Sequence, residues 1–159
     1  MGSGSRKAPE AASAGPRRIL VIDDDRDMVR IVRYILRDAG YTVIYAYTGA
    51  DGIRKARTEK PDLVLTDLAM PNVSGLDVVD TLHERPETRD IPILAITGLT
   101  AESIGQAAQQ LGCADHVLKP FTAEQLLQRI QRCFDLASEN TPDTRPVAAS
   151  QPGELRLRT

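Results

Sequence analysis

The sequence predicts an α/β fold: a doubly wound parallel sheet of five strands with five helices on its two faces. Five short runs rich in apolar and β-branched residues alternate with stretches whose apolar positions recur every three or four residues. The clearest of these runs are continuously apolar, as strands buried on both faces are, instead of alternating. Each run is followed by a helix-length segment, the connection that parallel strands require.

Taken in order, residues 18–22 (RILVI) form the first strand, which ends at Asp23. Asp25 can cap a helix that runs to about Ala39, with Met28, Val32, Ile35, Leu36 and Ala39 on one face and Gly40 as its stop. Residues 41–47 are β-branched and aromatic and give the second strand. Thr48 caps a helix to about Lys60, and Pro61 breaks it. Residues 62–66 are the third strand, ending at Asp67. Ser74 caps a helix to about Glu84, and residues 91–96 make the fourth strand, ending at Thr97. Residues 100–111 read as a helix stopped by Gly112, and residues 114–118 as a short fifth strand before Lys119 and Pro120. Thr122 caps the last helix, whose apolar face is Ala123, Leu126, Leu127, Ile130, Cys133, Phe134 and Ala137.

These elements occupy one domain, residues 17–137 of the 159. Residues 1–16 are Gly, Ser, Ala and Pro with almost no large apolar side chain, and GSGS at 2–5 reads as flexible linker. Residues 138–159 carry Pro142, Pro146 and Pro152 without periodicity, so both ends are expected to be flexible tails. Residues 155–158 alternate like a strand but are too few to form one alone.

Composition narrows the function classes. Hydrophobic residues make up 42% and charged residues 26%, enough for a buried core and too apolar for wholesale disorder. The net charge is −2, unevenly spread: residues 1–18 carry +3, residues 138–159 are neutral, and the body between carries −5. An acidic body argues against direct nucleic-acid binding, which needs clustered Lys and Arg. The 22 residues after Ala137 are also too few for a DNA-binding helix-turn-helix. No apolar run approaches the roughly 18–20 residues of a membrane helix, the start is too polar for a signal peptide, and Arg6 breaks a myristoylation pattern. Cys113 and Cys133 are too few for a disulfide framework or a four-ligand zinc site. They read as small core residues in a reducing, cytoplasmic setting.

In open parallel sheets, ligands bind beyond the carboxyl ends of the strands. Asp23, Asp24, Asp67, Thr97 and Lys119 lie there. If the first and third strands are neighbours, three carboxylates meet in one pocket. Two unit charges 4 Å apart repel by about 4 kcal/mol at an effective dielectric of 20. Either a cation sits among them or one carboxyl group holds a proton. Oxygen-only ligands at an open polar mouth suit Mg²⁺. Asp25 is read as a helix cap only. Lys119 offers a point charge to phosphate oxygens and Thr97 a small hydroxyl donor. Alone, Lys119 would be a solvated charge and Thr97 a loop hydroxyl. Together, a carboxylate nucleophile, a divalent cation, a Lys and a Thr are the parts that acyl-phosphate chemistry needs.

Residues 19–25 (ILVIDDD), 65–71 (LTDLAMP), 95–97 (AIT) and 117–121 (VLKPF) resemble the receiver domains of two-component response regulators. The resemblance runs in order from Arg18 to Leu136. It implies the flavodoxin-like receiver fold with strand order 2-1-3-4-5, either in a single-domain protein or in a receiver cut from a longer hybrid kinase or regulator. It implies that Asp67 accepts a phosphoryl group from the phosphohistidine of a sensor histidine kinase or a histidine phosphotransfer protein. Asp24, Asp67 and the backbone carbonyl of Ala69 would bind Mg²⁺, with Asp23 acting through water, and Thr97 and Lys119 would contact the phosphoryl group. The chain would then be a phosphoacceptor that assists its own phosphorylation and dephosphorylation rather than an enzyme. Its output would pass to a downstream protein target, or through a phosphorylation-dependent homodimer, with no nucleic-acid or membrane contact.

Some positions depart from the family pattern. His116 stands in the fifth strand where the family has Tyr or Phe, either as a switch residue reporting the motion of Thr97 or as a partly exposed imidazole without a role. Ser74-Gly75 replaces the commoner Asp-Gly and still supplies a cap. Ala69 and Leu99 flank the site at positions that tune dephosphorylation in the family. His83, on a helix far from the strand ends, reads as a surface residue. A phosphatase of the haloacid-dehalogenase type is a rival, because Asp23 and Asp25 fit its Asp-x-Asp. Against it, Asp27 stands where that motif wants Thr or Val, and no acidic pair follows Lys119, Glu124 and Asp135 being isolated. A phosphorylation-independent dimerisation module is a further alternative, which failure to bind Mg²⁺ would support.

Overall fold

The computed structural model describes residues 15–98 and 112–140. The helix expected at 100–111, Leu99 and most of the two tails lie outside the described residues. The elements run β1 Arg18–Ile22, α1 Arg26–Asp38, β2 Thr42–Ala46, α2 Gly49–Glu59, β3 Leu63–Asp67, α3 Gly75–Glu84, β4 Ile93–Thr97, β5 Asp115–Leu118 and α4 Ala123–Asn140. The five strands form one parallel sheet in the order β2-β1-β3-β4-β5.

Successive strand residues point to opposite faces, so the sheet has two cores. Ile19, Val21, Leu63, Leu65, Leu94 and Ile96 pack against Val29, Val32 and Leu36 of α1 and Leu126, Ile130, Cys133 and Phe134 of α4. Leu20, Ile22, Val64, Ile93 and Ala95 pack on the other side against Ala56 of α2 and Val78, Val79 and Leu82 of α3. Burial on both faces explains the continuous apolar runs: every residue of β3 and β4 is buried. β2, an edge strand, is mostly half-buried.

The expected caps are present. Asp25 accepts from the N–H groups of Asp27 and Met28, Thr48 accepts from that of Asp51, and Ser74 and Asp77 form a capping box. Thr122 and Gln125 bond reciprocally at the start of α4. α1 ends in a Schellman motif: the Gly40 N–H donates to the Arg37 carbonyl and the Tyr41 N–H to that of Leu36, with Gly40 at a positive φ of 99°. Two residues assigned to apolar helix faces are corrected. Ala39 is the exposed C-cap of α1, and Val29 takes the buried place. Ala123 is exposed in the first turn of α4. In both cases the apolar spacing continues past the stretch of helix that lies on the sheet.

Three further features come from contacts distant in sequence. Asp115 is buried at the start of β5 and accepts from Arg129 at 2.9 Å, with Arg132 at 3.5 Å, which ties the edge strand to α4. Cys113 and Cys133 are buried free thiols, pushed up to about 12 by burial, as inert core residues would be. His83, expected at the surface, is half-buried, and a side chain at Gly112 would come within 2.7 Å of its ring. Among the described residues, no helix is long and apolar enough to cross a membrane.

Gly75 has a more demanding role than following a cap. A Cβ there would lie 2.0 Å from the Asp67 carbonyl oxygen and 2.5 Å from the Leu68 Cα, both backbone atoms that cannot swing aside. The start of α3 is therefore pressed against the end of β3. Gly75→Ala is expected to cost at least about 2 kcal/mol in urea denaturation, whereas Ala at exposed Asp80 should change stability by less than about 0.5 kcal/mol.

Candidate functional site

Pairing between the strands brings the expected residues together. Ile22 lies opposite Thr66 in the β1–β3 ladder, so Asp23 and Asp67 come next on adjacent strands. Asp67 pairs with Ile96, and Thr97 with Leu118, which places Thr97 and Lys119 on the same edge. Lys119 starts two strands away from β3, and its long side chain spans the gap. Its Nζ donates to Asp67 Oδ2 at 2.9 Å and to Asp23 Oδ2 at 3.3 Å. Its backbone N–H donates to the Thr97 carbonyl at 2.8 Å, fixing the end of β5 to that of β4.

The remaining carboxylate oxygens are oriented by the main chain. Asp67 Oδ1 accepts the Ala69 N–H at 2.8 Å, and Asp23 Oδ1 accepts the Asp25 N–H at 2.9 Å. Asp23 and Asp67 are buried and Asp24 is exposed at the mouth, with one oxygen of each lying within 4.8 Å of the others. Burial first, and then the nearby charge of Asp67, push the Asp23 carboxyl up to about 6, although the Asp25 N–H and Lys119 oppose that shift. Burial pulls the Lys119 ammonium down, but its bonds to Asp67 and the charges of both carboxylates outweigh this and raise it above an ordinary lysine. Both ways out of carboxylate repulsion read from the sequence are thus built in: a raised carboxyl pKa and an acid group with the chemistry of a cation site. The donor set is entirely hard oxygen, and Asp24 lies open to water, which fits a divalent ion that keeps part of its hydration shell.

Residues 19–131 match the model of the response regulator receiver domain. The chain belongs to this family. It is 35% identical over 115 residues to the alkaline phosphatase synthesis transcriptional regulatory protein PhoP of Bacillus subtilis, covering 72% of this chain and 47% of that protein. It is 28% identical over 116 residues to the polar-differentiation response regulator DivK of Brucella anthropi, covering 73% of this chain and 94% of DivK. The chemotaxis protein CheY4 of Vibrio cholerae superposes with a TM-score of 0.71 at 29% identity, over 75% of this chain and 99% of CheY4. The receiver therefore spans about half of one relative and nearly all of another. Receiver domains are signalling modules of two-component systems that take phosphoryl groups from histidine kinases or phosphotransfer proteins and bind Mg²⁺ at an acidic pocket.

In this receiver, Asp23, Asp24, Asp67 and Lys119 converge, so Lys119 is not the solvated charge it could have been alone. Thr97 is fully buried at the adjacent strand end. Ala69 contributes its N–H to Asp67. His116 stands apart: it is half-buried on β5 and lines a shallow hollow with Leu118, Pro120, Gln125 and Arg129, and its Nδ1 is buried without a hydrogen-bond partner. Asp25 serves as the cap of α1, which removes the second Asp of the phosphatase motif from the pocket. The sequence reading missed the orienting N–H groups of Ala69 and Asp25, because a backbone donor carries no residue-type signal.

Because the folded Asp23 carboxyl titrates near 6, above its ordinary 3.8, protonation favours the native state. Its contribution is complete below pH 3.8 and is lost as pH rises through about 6. Asp23→Asn, measured with chelator present, should therefore stabilise the chain at pH 7.5 by about 1–2 kcal/mol. The difference from wild type should shrink as pH falls from about 6 towards 3.8. A difference independent of pH in chemical denaturation would contradict this account of the cluster.

Proposed function

We propose that this receiver is a phosphorylation-dependent switch in which Asp67 is the phosphoacceptor. The observation that carries the reading is the setting of the Asp67 carboxylate: buried, anchored at one oxygen by the Ala69 N–H and at the other by Lys119, and beside two further acids. Fixing the carboxylate aligns a weak nucleophile for in-line attack without requiring it to be strongly basic. An Asp67 oxygen attacks the phosphorus of a partner's phosphohistidine. The P–N bond breaks, the imidazole leaves with the electron pair and takes up a proton, and an aspartyl phosphate remains.

Asp24, Asp67 and the carbonyl of Ala69 would hold Mg²⁺, with Asp23 acting through water; when bound, the ion supplies positive charge against the phosphoryl oxygens. Lys119, already bonded to Asp67, stays close to the new anion and offsets part of its added charge of about −1.5 to −2. The Thr97 hydroxyl turns toward a phosphoryl oxygen. Since the Thr97 carbonyl holds the Lys119 N–H, both strand ends feel the change. The altered face on β5 and α4 then binds a downstream protein, or a second copy, differently in the two states. His116 lies on that face and reports the rearrangement. The donor is a sensor histidine kinase or a histidine phosphotransfer protein, and residues 17–137 form the switching unit.

Intact mass spectrometry after incubation with Mg²⁺ and a small-molecule phosphodonor tests this. Wild type should gain one acid-stable, base-labile phosphoryl group, and neither Asp67→Asn nor the chelator control should gain any. Equal labelling of Asp67→Asn would refute the acceptor assignment. Absence of Mg²⁺ binding in a titration would favour the phosphorylation-independent dimerisation module.

A further inference from the structure

Residues 155–158 (LRLR), which alternate like a strand, are used neither by the sheet nor by the site, and they lie outside the described residues. A crevice of about 250 Å³ beside the acid pocket has the complementary chemistry. Its apolar walls come from the loops after β2 and β3, through Tyr47, Ala50, Met70, Pro71 and Val73. Its single charged lining group among the described residues is Asp24, from the loop after β1. The volume is less than one turn of helix fills with its side chains, which selects an extended occupant. The walls are already formed. A Cβ on Gly49 would lie 2.7 Å from the Val73 carbonyl oxygen, so the two loops touch. The Tyr47 ring is held by the Arg26 guanidinium, 4.0 Å from its centre and the first of the row Arg26, Arg30, Arg33 and Arg37 along α1. Lys119 lies against Asp23 and Asp67, whereas the Asp24 carboxylate makes no hydrogen bond or ion pair among the described residues. The crevice therefore suits an extended apolar group with a cation beside it.

We propose that residues 155–158 of this same chain dock in the crevice, with Leu155 and Leu157 on its apolar walls and Arg156 or Arg158 on Asp24. In an extended segment the two leucines face one side and the two arginines the other. That division matches apolar walls on two loops and a carboxylate on a third. The chain between is long enough. α4 starts at the strand edge that carries the site and runs back about 27 Å to Asn140 at the opposite edge. Residues 141–154 span up to about 46 Å, and Pro142, Pro146 and Pro152 disfavour a helix that would shorten them. Such a tether holds the segment at an effective concentration on the order of a millimolar, so even a weak contact is occupied. Residues 1–16 also bring cations, Arg6 and Lys7, but almost no large apolar side chain to fill the crevice. Because Asp24 is also assigned to Mg²⁺, the docked segment and the ion compete. This consequence rests on the ion reading; the docking itself does not.

The test compares amide shifts of the full chain with those of variants altered only outside residues 17–137, first with chelator present. Leu155→Ser with Leu157→Ser, and separately Arg156→Gln with Arg158→Gln, should each move the amides of Asp24, Gly49 and Val73, and in the same direction. Arg6→Gln with Lys7→Gln should move none of them. The wild-type shifts should stay constant between about 20 and about 500 μM protein, as an intramolecular contact requires. Mg²⁺ should then bind wild type about threefold more weakly than either C-terminal variant. The serine variant keeps the net charge, so a general attraction for cations cannot produce its gain. Crevice amides that ignore both C-terminal variants, that answer to Arg6 and Lys7 instead, or that shift with concentration as contact by a second copy would, each overturn the docking. Equal Mg²⁺ affinities in all the proteins would overturn the competition. Absence of Mg²⁺ binding from every protein would refute the ion reading, while the chelator spectra decide the docking by themselves.

Discussion

Lys119 is the side chain on which the geometry of the site depends. Asp23 and Asp67 end adjacent buried strands, and unopposed carboxylates within 4.8 Å repel by an amount on the order of 3–4 kcal/mol at an effective dielectric near 20. The lysine lies against both, and its main chain is bonded to the end of β4. Two strand ends are thereby referred to one ammonium group and a third to the backbone of the same residue. Any change in charge at Asp67 must alter the balance of that group, and its backbone is already tied to Thr97. Burial, and after it the charge of Asp67, raise the Asp23 carboxyl, and the same setting makes the pocket receptive to added positive charge.

The site was legible in the sequence because a doubly covered parallel sheet leaves few choices. Strands buried on both faces announce themselves as apolar runs, and parallel strands all finish on one edge. The residues that interrupt those runs, Asp23, Asp67, Thr97 and Lys119, are therefore the ones collected there. Periodicity could not supply the order of the strands. That Asp67 neighbours Asp23, with Thr97 one strand further on, came from the family resemblance and is what the ladder pairings show.

What was illegible depended on contacts made at a distance. Ala39 and Ala123 continue an apolar spacing, yet the chain has left the sheet at one and has not reached it at the other. Asp115 looks like an ordinary polar residue at the start of a strand until Arg129 and Arg132, a turn or more into α4, are seen to meet it. Gly75 follows a capping serine and invites a local explanation. Its actual constraint is the Asp67 backbone, eight residues earlier in the chain. Such close approaches leave no mark on composition or hydropathy. They matter to function all the same, because Gly75 sets how tightly α3 presses on the strand that carries the proposed acceptor.

The domain holds two concentrations of like charge, and their surroundings give them different physical capacities. The carboxylates are largely buried and oriented by backbone N–H groups, so their mutual repulsion is poorly screened by salt. A single added or removed charge there changes the energy of a packed sheet edge, which is what a two-state switch requires. The arginines of α1 lie at the surface on aromatic supports, where water and ions reduce each interaction to a fraction of a kcal/mol. Such a row cannot by itself drive a conformational change, but it can select partners by sign and hasten their encounter. The two clusters thus differ in how far their charge is coupled to the packing of the sheet, closely at the carboxylates and loosely at the arginines.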